Sequence, residues 1–478
     1  MVGAPGLAAA VSPRELLIQA AYLAASVLFI LGLKSLTKPD SARRGMQQAA
    51  LGMLLAIVGT LFHHQIVEYH WIVAGLVIGG VIGWPLGTRV PMTAMPQRIA
   101  LSHMFGATAA SLVGVAEYYT AYRPLADGTL PGVDPARMAA LGFEVLFGSL
   151  TVTGSLMAAG KLQELLPGQP ITFRGQNVFN VAVFALAIGL FLFLIAFPAS
   201  AAAFYTMIGL ALVIGVSMVL PIGAADMPVV VSLLNSYAGL AAAATGFAIG
   251  NNVLIICGAL DGGSGFLLSM LMCKAMNRSF ANVLFGAFGT PQAASARSAT
   301  GLVAKSISAE DAAIQLAYAR KVIVVPGYGM AVAQSQHQVR ELAELIERRG
   351  GEVKYAIHPV AGRMPGHMNV LLAEANVPYD RLYDMEEINQ EFANTDVAVV
   401  IGANDVVNPA ARNDPSSPIY GMPILNVDQA RSIIVMKRSM NPGFAGIENE
   451  LFYDPKTRML FGDAKASLTK LVTEVKAL

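Results

Sequence analysis

The stretch KVIVVPGYGMAVAQ, residues 321–334, has the residue types that hold a nucleotide phosphate. Its β-branched apolar run, residues 322–325, predicts a buried strand of an α/β sheet. The turn PGYG, residues 326–329, then leads into a helical pattern. A strand, a glycine-rich turn and a helix N-terminus direct backbone N–H groups at an anion. Because Val332 takes the place of a third glycine, an ordinary strand–helix turn remains the alternative.

Three further loops with polar or basic residues follow predicted strands. They are HPVAGRMPGH at 358–367, GANDVVNP at 402–409 and KRSMNPGFAG at 437–446. The carboxyl ends of parallel strands meet at one edge of a sheet. We therefore expect these three loops and the G-x-G turn to line a single nucleotide site.

Basic residues in these loops favour NADP over NAD. No acid ends the second predicted strand, where an NAD-selective site usually holds a ribose hydroxyl. Instead, cations and a hydroxyl that suit a 2′-phosphate are supplied by Arg363, Lys437, Arg438 and Ser439. The alternative for Lys437 and Arg438 is a solvated basic end of a strand.

The N-terminal half places ionisable side chains and an amide inside long apolar runs, where each is costly. His103 begins a stripe of small residues that leads to Glu117, whereas Asn235, Glu144 and Asp261 lie in other runs. Because histidine changes charge near neutral pH, these groups suit a chain of proton carriers across the bilayer. The alternatives are interhelical hydrogen bonding for Asn235 and wetted interface positions for Glu117 and Glu144.

The composition indicates a membrane protein. Of 478 residues, 55% are hydrophobic and 13% are charged, whereas charged residues usually make up about a quarter of a globular chain. The net charge of +1 indicates no nucleic-acid partner. Cys257 and Cys273 are too far apart on one predicted helix to form a disulfide. His63, His64 and His70 fall in a loop, where solvated side chains are favoured over a metal site.

Nine apolar runs predict membrane spans of about 20 residues each. They lie at about 15–33, 46–63, 70–87, 98–119, 138–160, 177–197, 202–220, 228–248 and 251–273, the second being marginal in length. Lys and Arg are concentrated in alternate loops, which predicts an N-terminus outside and a cytoplasmic C-terminal half. The first residues lack the basic region of a cleaved signal peptide, so the first run is interpreted as a true span.

The C-terminal half has ordinary soluble composition and alternating strand and helix patterns. Strands are predicted at 322–325, 353–357, 396–401, 422–425 and 432–436, and helices at 332–349, 386–393 and 465–478. Ser308 is a predicted N-cap for a helix that precedes them. Before it, a Gly, Ala and Ser-rich tether contains an amphipathic piece at 280–288.

These patterns predict an α-helical polytopic membrane domain of about nine spans, followed by an α/β Rossmann-like domain with a doubly wound parallel sheet. We place the membrane domain at residues 1–275, the linker at 276–312 and the cytoplasmic NADP(H)-binding domain at 313–478.

Several motifs resemble the proton-translocating NAD(P) transhydrogenase family over nearly the whole chain. GYGMAVAQ at 327–334, HPVAGRMPGHMNVLLAEA at 358–375, GANDVVNPAA at 402–411, KRSMNPGFAG at 437–446 and FGDAKAS at 461–467 are similar to its NADP(H)-binding domain. GAADMPVVVSLLNSYAG at 223–239 and MCKAMNRSF at 272–280 are similar to its membrane domain. The resemblance implies the β subunit of an oxidoreductase and translocase that transfers hydride between NADH and NADP⁺ while protons cross a bacterial inner membrane.

The resemblance also implies partners and residue roles. NAD(H) would be bound by a partner α subunit with further membrane helices, in a dimer of αβ units. His103 and Asn235 match membrane residues of the proton path, and Asp405 matches a coupling acid. The implied NADP(H)-binding positions are Gly327, Tyr328, Gly329, Met330, Ala331, Val332, Ala361, Gly362, Arg363, Met364, Pro365, Gly402, Ala403, Asn404, Asp405, Lys437, Arg438, Ser439, Gly443, Phe444 and Ala445. Residues 439–446 match a loop that covers the nucleotide. Asp261 and Gly263 depart from the family pattern, and no role is transferred to them.

Two other functions fit the same features less fully. One is an ion channel or secondary transporter that is regulated by a cytoplasmic NADP-sensing domain. The other is a membrane anchor for a soluble NADP-binding protein, although His103 and the acids in the spans argue against it.

Overall fold

The structure is a computed structural model of the chain. It describes residues 12–36, 39–62, 68–91, 94–122, 134–167, 171–223, 226–276, 280, 303–364, 366–415, 417, 419–443 and 446–478. Three predicted site residues, Pro365, Phe444 and Ala445, lie outside the described residues. So do His63, His64, most of the predicted linker and the amphipathic piece beyond Phe280.

In the described residues of the N-terminal half, the structure has nine long helices. They are α1 (Pro13–Leu36), α2 (Pro39–Leu61), α3 (Tyr69–Thr88), α4 (Met95–Tyr122), α5 (Pro135–Leu162), α6 (Gln176–Ala196), α7 (Ala201–Val219), α8 (Met227–Ile249) and α9 (Asn252–Ala275). Among the described residues, all of them except α2 are long and apolar enough to cross a membrane. The first turns of α2 contain Arg43, Arg44, Gln47 and Gln48, which leaves only its second half strongly apolar.

Helices α5 and α8 are the most buried of the eight apolar helices. Glycines let α8 and α9 approach at backbone distance, because a Cβ on Gly239 would lie 2.4 Å from the backbone nitrogen of Gly262. The same holds one turn further along, where a Cβ on Gly258 would lie 2.4 Å from the backbone nitrogen of Ala243. Such close packing of small residues is typical of helices in lipid, and it fixes which side chains of α8 and α9 meet.

The described residues of the C-terminal half contain six parallel strands in one sheet. They are β1 (Lys321–Pro326), β2 (Glu352–Ile357), β3 (Leu382–Asp384), β4 (Val397–Ile401), β5 (Ser432–Lys437) and β6 (Thr457–Phe461). The strand order is β3-β2-β1-β4-β5-β6, which is the dinucleotide-binding order with its switch point between β1 and β4. The central strands are buried on both faces, as expected for a parallel sheet covered by helices.

Seven α-helices accompany the sheet in the part of the C-terminal half that the structure describes. They are α10 (Ala309–Ala317), α11 (Tyr328–Ala333), α12 (Gln336–Arg348), α13 (His367–Glu374), α14 (Met385–Ile388), α15 (Ala410–Asn413) and α16 (Ala464–Ala477). The predicted N-cap of α10 is confirmed, since the Ser308 hydroxyl accepts the Asp311 N–H at 3.1 Å. The predicted fold class, a polytopic helical domain followed by a doubly wound parallel sheet, is confirmed.

Some predicted boundaries are wrong. Residues 422–425 form no strand, and β3 and β6 were not predicted. The single helix predicted at 332–349 is two helices, because Gln334 has a left-handed φ of 48° that ends α11 before α12 begins. The helix predicted at 386–393 is only the short α14, followed by a 3-10 turn, Phe392–Asn394.

Candidate functional site

The carboxyl ends of β1, β4 and β5 meet in register at the switch point. Pro326 pairs with Ile401, and Ile401 with Met436. Each of these residues directly precedes a predicted binding loop, so Gly327, Gly402 and Lys437 start from the same edge of the sheet. The topology therefore brings together the loops at 327, 402 and 437 as predicted.

The glycines of the G-x-G turn are required by contact with the loop after β4. A Cβ on Gly327 would lie 2.5 Å from backbone atoms of Ala403, and one on Gly329 would lie 2.6 Å from the Cα of Gly402. The Gly327 N–H donates to the Ile401 carbonyl at 2.9 Å, and the Gly329 N–H donates to the Gly402 carbonyl at 3.0 Å. These two N–H groups thus join two loops of the site to one another, a contact that the sequence did not predict.

The remaining predicted residues of this turn form α11. Met330 and Ala331 are fully buried in the core of the sheet domain, so a ligand would meet only their backbone. Val332 is 47% exposed, and Tyr328 is partly buried against the core. The predicted third-glycine position therefore faces outward at the end of the turn.

The loop after β2 is organised by two buried histidines. His367 Nδ1 accepts the Arg363 N–H at 3.0 Å, and a Cβ on Gly362, whose φ is 109°, would lie 2.5 Å from that nitrogen. His358 Nε2 donates to the Pro423 carbonyl at 2.8 Å, and its Nδ1 accepts the Val360 N–H.

Burial lowers the pKa of both His358 and His367 to about 4. The Arg363 cation lowers the pKa of His367 further. Both are neutral near pH 7, and Ala361 and Met364 lie buried between them.

Arg363 is directed at the membrane helices. Its guanidinium donates to the Leu162 carbonyl at 2.6 Å and to the Glu164 carboxylate at 2.9 Å, just past the end of α5. It also lies 4.3 Å above the centre of the Tyr328 ring, and only 7% of the side chain is exposed. The sequence predicted a cation for the 2′-phosphate, whereas the structure engages this arginine in a contact between the two halves of the chain.

The loop after β5 folds back over the loop after β4. A Cβ on Gly443 would lie 2.4 Å from Asn404 Nδ2 and 2.8 Å from Asp405 Oδ1. Asn449, which the sequence did not single out, donates to the Asn404 carbonyl at 3.0 Å and so fixes the same loop. The described part of residues 439–446 therefore covers Asn404 and Asp405.

The basic residues that open this loop differ in exposure. The Lys437 ammonium donates to the Asn441 carbonyl and lies 5.3 Å from the centre of the Phe452 ring. Burial lowers the pKa of Lys437, and the Asp405 carboxylate partly offsets that effect. Arg438 and Ser439 are exposed at the rim, where their side chains are accessible to a phosphate.

A second polar cluster lies within the membrane helices. Asn235 on α8 donates to Asp261 on α9 at 3.0 Å, and its side chain faces the imidazole of His103 on α4. The Nδ1 of His103 is buried and has no hydrogen-bond partner among the described residues. The structure thus joins His103 and Asn235 as one group and adds Asp261, to which the family resemblance assigned no role.

Two contacts, between Asn235 and Asp261 and between Arg363 and Glu164, could not be predicted from the sequence. Asp261 was visible as an ionisable residue inside a span, but only the close approach of α8 and α9 identifies Asn235 as its partner. Glu164 follows α5 with no motif around it, and its pairing with Arg363 depends on how the sheet domain meets the helices. Within the described parts of the chain, no cluster of His, Cys, Asp and Glu side chains is arranged to hold a metal ion.

The chain matches a family model over residues 18–474, and that model is described as NAD(P) transhydrogenase beta subunit. Two curated sequences named NAD(P) transhydrogenase subunit beta, from Rhodospirillum rubrum and from one of its strains, are similar to this chain. Each is 50% identical over 464 residues, which cover 95% of this chain and 98% of the relative. The structure supplies both parts that the sequence motifs imply, a helical membrane half and a dinucleotide-type parallel sheet. The chain is a membrane protein that belongs to the NAD(P) transhydrogenase beta subunit family, the oxidoreductase component that functions with an alpha subunit and nicotinamide nucleotides.

Proposed function

We propose that this chain binds NADP(H), that its partner alpha subunit binds NAD(H), and that hydride transfer between them is coupled to proton movement across the membrane. The observation that carries the proposal is the convergence of the G-x-G turn, the loop at 402–409 and the basic loop at 437–443 on the switch-point edge of one parallel sheet. Dinucleotides bind at that edge in open α/β sheets.

The residues at this edge fit a nicotinamide dinucleotide with a 2′-phosphate. Arg438 and Ser439 are exposed beside Lys437, and a guanidinium binds a phosphate through paired hydrogen bonds. Asn404 and Asp405 lie beneath Gly443, so a closed loop after β5 would retain the nucleotide. When bound, the nicotinamide supplies the hydride chemistry, and the chain's own residues bind and orient it.

Coupling requires that the membrane cluster and the nucleotide loop influence one another. We infer that protonation at His103, beside Asn235 and Asp261, biases the loop at 437–446 between an open form that exchanges NADP(H) and a closed form that presents it to the partner. One charge crossing 100 mV supplies about 2.3 kcal/mol. At about 1.4 kcal/mol per tenfold change, this is enough to shift a binding equilibrium roughly 40-fold.

The proposed assembly is a dimer of αβ units in a bacterial inner membrane. The excess of Lys and Arg in alternate loops supports an N-terminus outside and a sheet domain in the cytoplasm. The contact of Arg363 with Leu162 and Glu164 puts the sheet domain at the end of α5, and Lys161 in the last turn of α5 agrees with a cytoplasmic location for that end.

Titration of the purified full chain with NADPH and with NADH, followed by nucleotide fluorescence, tests the nucleotide assignment. We expect NADPH to bind at least tenfold more tightly, and Arg438→Ala to reduce that preference severalfold because the 2′-phosphate loses a cation. Arg431→Ala is the matched control, since Arg431 precedes the opposite end of β5 and pairs with Asp396. Equal affinities for the two nucleotides, or a preference that Arg438→Ala leaves unchanged, would refute the assignment.

A further inference from the structure

Glu144 on α5 is a fully buried carboxyl group inside the membrane half. Its side chain is 0% exposed, and neither carboxyl oxygen makes a hydrogen bond with the described part of the chain. The backbone of α4 leaves room for it at a glycine, because a Cβ on Gly114 would lie 3.1 Å from the Glu144 carboxyl carbon. The chain therefore gives space to an acid where an apolar residue would pack at no electrostatic cost.

The surroundings of Glu144 suit the protonated acid. An ionised carboxylate that is buried without a partner costs several kcal/mol. Thr245 of α8 lies beside it, but the Thr245 hydroxyl donates its hydrogen to the Ala241 carbonyl at 3.0 Å. Any hydrogen bond between the two must therefore have Glu144 as the donor.

Two charged residues of the described part of α4 and α5, Glu117 and Arg137, pair with one another near this end of the helices. Glu117, one turn beyond Gly114 on α4, forms an ion pair of 2.5 Å with Arg137 of α5. Arg137 is two turns before Glu144 and directs its guanidinium at Glu117. Glu144 thus lies just inside a polar, partly exposed pair, and it forms no ion pair with any residue that the structure describes.

Helix geometry places Glu144 on the far side of His103 from the sheet domain. Gln97 on α4 donates to the Leu162 carbonyl, the group that Arg363 also contacts, so these residues mark the near end of α4 and α5. His103 is 6 residues and Gly114 is 17 residues beyond Gln97, which is about 9 Å and 26 Å at ~1.5 Å per residue. Glu144 therefore lies about 17 Å beyond His103 along the helices.

The space between the two contains hydroxyl groups on the same helix faces. Ser111 on α4 is opposite Gly148, one turn from Glu144, since a Cβ there would lie 2.4 Å from the Ser111 hydroxyl. That hydroxyl and the one on Ser155 are buried without hydrogen-bond partners among the described residues. Residues 144, 148, 151 and 155 share one face of α5, and residues 103, 107, 111 and 114 share one face of α4.

We propose that Glu144 is a second proton-binding site of the membrane domain, which exchanges its proton with His103 through intervening hydroxyls and water. In the forward step the Glu144 O–H bond breaks and an imidazole nitrogen of His103 gains the proton, leaving a carboxylate and an imidazolium. The carboxylate is then reprotonated from the side of Glu117 and Arg137. The inference rests on the proposed proton-coupled function and adds the site that loads His103.

The test uses the full chain reconstituted with its alpha subunit in vesicles, with hydride transfer and lumenal pH followed together. Glu144→Gln keeps the shape of the side chain but cannot release a proton, so we expect proton movement and coupled hydride transfer to fall at least tenfold, with NADPH affinity within twofold of wild type. Glu144→Asp should retain activity with a shifted pH profile. Glu68→Gln, at an acid before α3 whose side chain is 65% exposed, is the control and should change proton movement by less than threefold.

Each result of this experiment either supports or contradicts the assignment of Glu144 as a proton-binding site. If wild type pumps protons and Glu144→Gln pumps equally well, the inference is wrong, whereas a wild type that moves no protons overturns the proposed function itself. If both Glu144 variants lose NADPH binding together with activity, Glu144 is a packing residue and the assignment also fails. An unchanged pH profile in an active Glu144→Asp variant contradicts it as well.

Discussion

His358 and His367 are the residues that shape the loop after β2 from within. Each uses ring nitrogens to hold loop backbone, His358 through the Pro423 carbonyl and the Val360 N–H, and His367 through the Arg363 N–H. Because both rings accept a hydrogen bond at Nδ1, protonation would break one contact in each. From the sequence, His358 and His367 were recognised only as parts of a motif, because their burial depends on the folded loop.

The lowered pKa values of these histidines predict an acid-sensitive loop. Burial lowers each folded-state pKa to about 4, whereas an exposed histidine titrates near 6.5. The opened loop therefore takes up protons first as the pH falls, and the stability that is present above pH 6.5 is lost progressively between 6.5 and 4. Hydrogen-exchange protection factors at residues 358–367 should therefore fall as the pH is lowered. The decrease should be up to about tenfold per pH unit for each of the two histidines that becomes exposed when the loop opens.

Two variants identify the source of this pH dependence. His367→Asn supplies an amide oxygen that can accept the Arg363 N–H, so it should flatten part of the slope. His337→Gln alters an exposed histidine and should leave the slope unchanged. Protection factors that stay constant between pH 7 and pH 5 in the wild type would contradict this interpretation.

At the scale of elements, the strong apolar patterns predicted strands correctly, whereas short or polar segments gave no signal from which a strand could be predicted. The strands predicted at 322–325, 353–357, 396–401 and 432–436 all coincide with observed strands to within one residue at each end. In contrast, β3 has three residues, LYD, and β6 includes Thr457 and Arg458, so their pairing is set by the sheet edge that they complete. The break between α11 and α12 depends on the left-handed backbone conformation of Gln334, which no local sequence pattern predicts.

The contact between the sheet domain and α5 is the element-level feature that the sequence could not supply. Arg363 reaches the Leu162 carbonyl and the Glu164 carboxylate, and Val360 of the same loop packs near Val229, Met272 and Cys273. The partners are about 200 residues apart in the chain. One loop after β2 thus contacts both the nucleotide edge and the membrane helices.

This contact predicts unequal effects of removing its two side chains. Arg363→Ala removes a buried guanidinium that donates to the Leu162 carbonyl and stacks on the Tyr328 ring. The rate of backbone amide hydrogen exchange at residues 358–364 should therefore rise at least tenfold. Glu164→Ala removes a carboxylate that is 74% exposed, and such pairs contribute at most about 1 kcal/mol, so exchange should rise less than fivefold. Hydrogen exchange on the full chain measures both. Equal effects, or none for Arg363→Ala, would show that the loop is held by its other contacts.

At the scale of the whole molecule, the proposed nucleotide site and the polar cluster of the membrane helices lie at opposite ends of one connected set of elements. The loop after β5 lies on Asn404 and Asp405, the loop after β2 lies on the end of α5, and α4, α5 and α8 lead from there to His103, Asn235 and Glu144. Sequence motifs identified the loops and His103. The connection through Arg363 and the buried position of Glu144 required the packed helices, because burial and distant pairing are properties of the folded molecule.

The central claim is that protonation at His103 drives the nucleotide site. The most direct measurement is of hydride transfer and lumenal pH together, in vesicles that contain the full chain and its alpha subunit, for wild type and His103→Leu. We expect wild type to change the lumenal pH as hydride is transferred, and His103→Leu to bind NADPH within twofold of wild type without moving protons. His70→Leu, at an exposed histidine, should behave as wild type. A His103→Leu protein that generates the wild-type pH change would contradict the account.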